Sequence, residues 1–292
     1  MMQKLKWLTA GESHGKGLLG ILEGIPAGLE VEEEYIAAHL ARRQKGHGRG
    51  GRMKIEEDRA EIYCGIRHGK TLGSPIGLIL PNRDWDNWKT KLSVEPVDEE
   101  VKKVTLPRPG HADLAGTQKF GFDDIRNVLE RSSARETAMR VALASVCRKL
   151  LEKVGIEIGG RVVQIHKVKD SSPIPEDTSP SQLNAIVDES PVRCLHKKTE
   201  KEMIAAIDKA KQKGDSVGGI FEIIATGLPY GLGSYTHWDR KLHTRLTSTM
   251  MSINGLKGIE IGAGFDGAGR LGSETHDEIG WDGDHYIRYS NN

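Results

Sequence analysis

Apolar and polar positions along the chain fall into two rhythms. Short apolar or alternating runs predict strands at residues 5–10, within Gly17–Gly28, at Glu61–Ile66 and Ile76–Pro81, and at Gly160–His166, Ser216–Thr226 and Ile259–Phe265. Helical spacing predicts helices over Glu30–Arg43, Ala134–Leu151, Thr199–Lys213 and Lys241–Ser252. The first of these starts acidic and ends basic, as the helix dipole favours. Between them lie a glycine-rich loop at 44–54, a polar surface stretch at 85–104, a Pro/Gly/His loop at 105–121 and a Ser/Pro connection at 171–181. Helices and strands interleave, yet adjacent strands recur in pairs. That predicts an α+β layered domain rather than a doubly wound parallel sheet.

Composition narrows the function. The 292 residues carry 42 Lys+Arg against 41 Asp+Glu, so any anion site must arise from local clustering rather than global basicity. No apolar run approaches the roughly 18 residues needed to span a membrane, which predicts a soluble, cytoplasmic protein without a membrane partner. Cys64, Cys147 and Cys194 show no metal-ligand spacing, and no metal is expected. Glycine reaches 35 residues, above the usual ~7%, and clusters with arginine, serine and histidine, as in backbone loops that close on ligands. Neither a G-x-G-x-x-G after a strand nor a G-x-x-x-x-G-K-[ST] occurs, so no standard nucleotide loop is supported.

Four islands carry the chemistry. Gly11-Glu12-Ser13-His14-Gly15 places a histidine in an open turn, suited to proton transfer near neutral pH or to a plain turn hydrogen bond. Arg42 to Lys54 holds six basic residues and no acid, among them Arg43, Arg49 and Arg52. Its glycines let several guanidiniums converge on one polyanion; a solvated loop or an RNA-binding Arg-Gly segment are the rival readings, the latter weakened by the absence of stacking aromatics. Arg108-Pro109-Gly110-His111-Ala112-Asp113 gives His111 a nearby carboxylate that could orient its ring. In Arg131-Ser132-Ser133-Ala134-Arg135-Glu136-Thr137, the serines suit an N-cap and Glu136 suits a capping box with Ser133. Arg131 and Arg135, four apart, can lie on one face of that helix start. The segment reads equally as an anion site or as a capped helix with solvated arginines.

Together these islands resemble the chorismate synthase family. The stretch from Gly11-Glu12-Ser13-His14-Gly15 to Glu23-Gly24-Ile25-Pro26 is similar to its N-terminal signature, and Glu130 to Ala144 to a second. Arg108 to Asp113, Gly214-Asp215-Ser216-Val217-Gly218-Gly219 and Ser252-Ile253-Asn254-Gly255-Leu256-Lys257-Gly258 match as well, in family order. The resemblance implies a β-α-β sandwich with helices layered between antiparallel sheets, one domain over residues 1–292, and a homotetramer. It implies conversion of 5-enolpyruvylshikimate-3-phosphate to chorismate and phosphate by 1,4-trans elimination, dependent on reduced FMN, with NADPH as a reductant. By the same resemblance His14 and His111 are the proton-transfer residues. Arg131, Ser132, Ser133, Asn254 and Gly255 are flavin positions, and Arg43, Arg49, Arg52 and Arg135 contact substrate or NADPH. Tyr289-Ser290-Asn291-Asn292 resembles the start of a segment that in the family continues to further flavin loops and a catalytic aspartate, so the chain is expected to lack that C-terminal part. A non-catalytic relative that binds FMN or anions is the alternative.

Overall fold

The computed structural model describes residues 5–49 and 57–290. Two compact units divide it, residues 1–228 and 229–292.

In the first unit, β1 (Lys6–Gly11) and β2 (Gly17–Glu23) are followed by α1 (Glu33–Gln44), β3 (Glu61–Cys64), a hairpin of β4 (Ile66–Arg67) and β5 (Lys70–Thr71), and β6 (Ile76–Pro81). Then come α2 (Asp113–Phe120), α3 (Arg126–Ser132), a short 3-10 turn at Ala134–Glu136, and α4 (Thr137–Lys153). The chain continues through β7 (Glu157–Ile165), β8 (Val168–Lys169), α5 (Pro180–Asp188), α6 (Lys197–Gln212) and β9 (Gly219–Thr226). Strands β1-β2-β6-β3 form one antiparallel sheet and β8-β7-β9 another. Helix α4 packs on β2 and β6 and against α1, whereas α5 and α6 pack on β7. The helices thus lie in layers between two antiparallel sheets, which is the α+β arrangement expected.

Alternation explains the first sheet. On β2, Leu18 and Leu22 are buried with Gly20 between them, and on β6 Ile76, Leu78 and Leu80 are buried. Met139, Ala142, Leu143 and Val146 of α4 and Ile36 and Leu40 of α1 complete this core. Gly20 is required there: a Cβ would meet the Met139 sulfur at 2.5 Å. The opposite face of the same strands stays apolar but open, with Leu8, Leu19 and Ile21 half-exposed.

Several boundaries differ from the sequence expectation. Residues 113–120 of the expected 105–121 loop are helical, because the Arg108–Asp113 pair ties the loop to the first turn of α2. Helix α5 begins at Pro180 behind a full capping box of Ser179 and Gln182, a start hidden in a Ser/Pro-rich stretch. Residues 259–265 form no strand; turns run into a 3-10 segment at Gly264–Gly269, where positive φ at Gly262 and Gly264 breaks the extended run.

The second unit contains α7 (Leu242–Met251), α8 (Gly272–Thr275) and an antiparallel pair of β10 (Ile279–Trp281) and β11 (Tyr286–Arg288). No helix among the described residues is long and apolar enough to cross a membrane.

Candidate active site

The β1–β2 loop is the base of the site. Gly11 turns it at φ +102°, where a Cβ would also strike the Gly17 carbonyl oxygen at 2.3 Å. Buried Asn82 clamps the loop from β6: its side-chain amide donates to the Glu12 and Gly15 carbonyls at 3.1 and 2.8 Å. The Ser13 backbone N–H donates to the Glu130 carbonyl at 3.0 Å, and the Ser133 hydroxyl reaches the Ser13 hydroxyl at 3.1 Å. His14 is therefore presented by a loop bonded to β6, α3 and the start of the central helix.

The His14 side chain is one-fifth exposed. Its Nδ1 lies 3.0 and 3.1 Å from the two carboxylate oxygens of Glu130, and its backbone N–H donates to the same carboxylate at 2.7 Å. The imidazole stacks on Trp88 with ring centroids 4.1 Å apart. Lys91 and Arg126 sit over the Trp88 ring at 4.8 and 5.5 Å.

The segment 131–137 is a junction between two helices rather than one helix start. Arg131 and Ser132 end α3, Ser133 has extended backbone, and α4 begins at Thr137. Ser133 does not form the expected capping box: its hydroxyl accepts from the Arg135 N–H at 3.3 Å. The Glu136 carboxylate instead accepts from Thr9 at 2.8 Å and from Arg140 at 2.8 Å. Nor do Arg131 and Arg135 share a face. Arg131 donates to the Thr9 carbonyl at 2.8 Å, while Arg135 turns inward to Asn82 at 3.0 Å and to buried Asp58 at 2.5 Å. The extended residue between them rotates the two guanidiniums apart.

Arg43 arrives from the end of α1. It donates to the Ala134 carbonyl at 3.1 Å and the Thr137 hydroxyl at 2.9 Å, and lies 3.6 Å from Asp58. Burial lowers its pKa; Asp58 opposes that, and repulsion from Arg135 and Arg49 adds to it. Arg49, its pKa lowered by desolvation, lines a cavity of about 650 Å³ with His47, Lys211, Val162 and Phe221. Arg52 lies outside the described residues. Among the described residues, six cations, Arg43, Lys91, Arg126, Arg131, Arg135 and Arg140, meet four carboxylates, Asp58, Asp84, Glu130 and Glu136, around this junction.

His111 is exposed, and its Nδ1 faces the Pro109 carbonyl oxygen at 3.0 Å. The expected pairing with Asp113 does not form. Arg108 binds that carboxylate in a fork, at 2.8 and 3.0 Å, and adds its backbone N–H at 2.9 Å. These hydrogen bonds hold Asp113 down from 3.8 to about 2. A carboxyl lowered in the folded state stabilises the fold above its unfolded pKa and loses that contribution as pH falls through the folded one. Asp113→Asn should thus cost on the order of 1 kcal/mol at neutral pH, reduced by solvent around Arg108, and almost nothing near pH 2. Urea unfolding of both proteins across that range measures it; an equal difference at both ends would refute the pairing.

Asn254 and Gly255 lie in the turn after α7 of the second unit, with Gly255 at φ +89° and open space where a Cβ would stand. Among the described residues no group of His, Cys, Asp and Glu is arranged to hold a metal ion.

This sequence and this order of strands and helices are matched by known proteins. The family model described as "Chorismate synthase" matches residues 5–292. The chain belongs to the chorismate synthase family. Chorismate synthase of Geobacillus kaustophilus is 54% identical over 280 residues, covering 95% of this chain and 72% of the relative. That of Bacillus subtilis strain 168 is 53% identical over 283 residues, with the same coverage. A solved structure titled "Crystal Structure of Chorismate Synthase" superposes with a TM-score of 0.82 at 43% identity, spanning 100% of this chain and 79% of that one. Chorismate synthases are lyases of the shikimate pathway, so the family, the fold class and the enzyme class read from the sequence all hold.

Sequence reasoning missed Asn82, Asp58, Trp88 and Glu130 as site residues. Glu130 could have been flagged, since it heads the same motif as Arg131. The other three stand in stretches with no chemical pattern of their own.

Proposed function

We propose that this chain eliminates phosphate from 5-enolpyruvylshikimate-3-phosphate to give chorismate, with reduced FMN as cofactor. The observation that carries the reading is the His14–Glu130 pair set beside a junction with surplus arginine charge. The substrate is a phosphate dianion with two carboxylates, and guanidiniums bind such groups with paired, charge-assisted hydrogen bonds. Arg43, Arg49, Arg52 and Arg135 are assigned to substrate or NADPH. Arg135 serves from within, through Asn82 and Asp58.

His14 is the group that delivers a proton to the leaving phosphate, and its ring supplies that proton from Nε2, the nitrogen not engaged by Glu130. His111 is assigned to proton exchange with the flavin. Arg131, Ser132 and Ser133 of the first unit are assigned to FMN, and Asn254 and Gly255 of the second unit are assigned to flavin binding by the same resemblance. The arginine-rich junction of the first unit fits an anionic cofactor. When bound, reduced FMN supplies electron density to the elimination without net redox change. NADPH is the proposed reductant of that flavin. The half-exposed Leu8, Leu19 and Ile21 face supports self-association into a homotetramer, since solvent-facing apolar sheet surfaces mark contacts. A single catalytic domain in the cytoplasm completes the proposal.

The test is anaerobic: the 292-residue protein is titrated with reduced FMN and substrate while the flavin spectrum and free phosphate are followed together. Phosphate release with a transient flavin signal is expected. Binding without release would assign the chain to non-catalytic anion and flavin binding and overturn the lyase reading.

A further inference from the structure

Glu130 is buried, with 2% of its side chain exposed. A buried carboxylate is costly unless it is paired. Among the described residues its side-chain hydrogen-bond and ion-pair partners all belong to His14: the backbone N–H at 2.7 Å and Nδ1 at 3.0 and 3.1 Å. One carboxylate therefore holds both the backbone and the ring of the same residue. The opposite constraint comes from Trp88, stacked on the imidazole at 4.1 Å and itself pinned by its indole N–H donating to Asp84 at 2.9 Å. With one face against an indole and Nδ1 on a carboxylate, a flipped ring would put Cδ2 in place of Nδ1 and lose the carboxylate contact. A carboxylate accepts only, so the nitrogen facing it must carry the hydrogen.

From this geometry we infer that Glu130 is a positioning residue, which keeps a proton on His14 Nδ1 and thereby commits Nε2 to proton exchange with the substrate. The inference rests on His14 as the proton donor proposed above, and it concerns a residue that never touches the reacting atoms. The arrangement follows the general logic by which an acceptor behind a histidine selects its tautomer and orientation.

The test reads the proton itself. Histidine ring ¹⁵N–¹H correlation spectra are recorded at mildly alkaline pH, with the His14 signal identified by its loss in His14→Gln. A protonated Nδ1 is expected in the wild type and in Glu130→Asp, which retains a carboxylate. In Glu130→Gln the amide offers a donor as well as an acceptor, so the Nδ1 proton is expected to be lost or mixed with Nε2. The same variant should lose about 10–100-fold in kcat, the range for outer-sphere orienting partners, with KM little changed. A wild-type ring without a proton on Nδ1, or a Glu130→Gln kcat equal to that of the wild type, would overturn the inference. Absence of wild-type phosphate release would instead sink the elimination reading, while the Nδ1 signals in the three proteins still decide the role of Glu130.

Discussion

His14→Ala is expected to lower phosphate release by about 10²–10⁴-fold, the usual worth of a lost general acid or base. The fold should survive. Alanine keeps the backbone N–H that donates to Glu130, and the loop remains clamped by Asn82 and Ser133. On the proposed mechanism, the variant lacks only the proton donor at the end of a fixed ring. Stopped-flow phosphate detection under reduced FMN measures the rate, and an unfolding curve checks the fold. An unchanged rate in a folded variant would remove His14 from the chemistry and shift attention to His111, which is exposed and only loosely oriented by a carbonyl.

Asp58→Ala is expected to cost about 3–5 kcal/mol of stability, the penalty for leaving buried charge without its partner. Asp58 sits between Arg135, at 2.5 Å, and Arg43, at 3.6 Å, and the Arg135 side chain is only 6% exposed. Removing the carboxylate takes the shared counter-charge from two cations that repel each other, one of which, Arg43, burial already disfavours. For a chain of this size the melting temperature should fall on the order of 10 °C. The double variant Asp58→Ala/Arg135→Met should lose less than the sum of the single changes, because the stranded charge is gone with its partner. A single-variant loss below ~1 kcal/mol would show that water, not Asp58, balances the pair. Turnover should fall as well, since Arg135 holds Asn82 and Asn82 holds the His14 loop.

The two predictions rest on residues of very different legibility. His14 stands in a glycine-flanked turn after an obvious strand, and a single line of sequence is enough to mark it as a candidate for proton transfer or for a plain turn hydrogen bond. Asp58 sits in a mixed acidic and basic stretch and looks like a solvated surface residue. Its role depends on an arginine 77 positions away and on another at the end of α1. The His111 island shows the converse failure. Its neighbour Asp113 was the natural partner by proximity, yet Arg108, five positions earlier, takes that carboxylate with a better-matched fork of donors.

The local chain itself determined the strands of the first sheet, the long helices and the family. Alternation at Leu18, Gly20 and Leu22 and helical spacing at Met139, Leu143 and Val146 are short-range patterns, set by pleat and helix geometry. Tertiary structure alone decided which charges are paired with which. It turned Arg135 inward and Arg131 toward β1, gave Glu130 to His14 across 116 residues, and set Trp88 against the imidazole. The reason is that periodicity encodes which face of an element is buried, whereas the partner of a polar side chain depends on where loops from distant segments meet. In a buried site those partners set the cost and the chemistry of every charge.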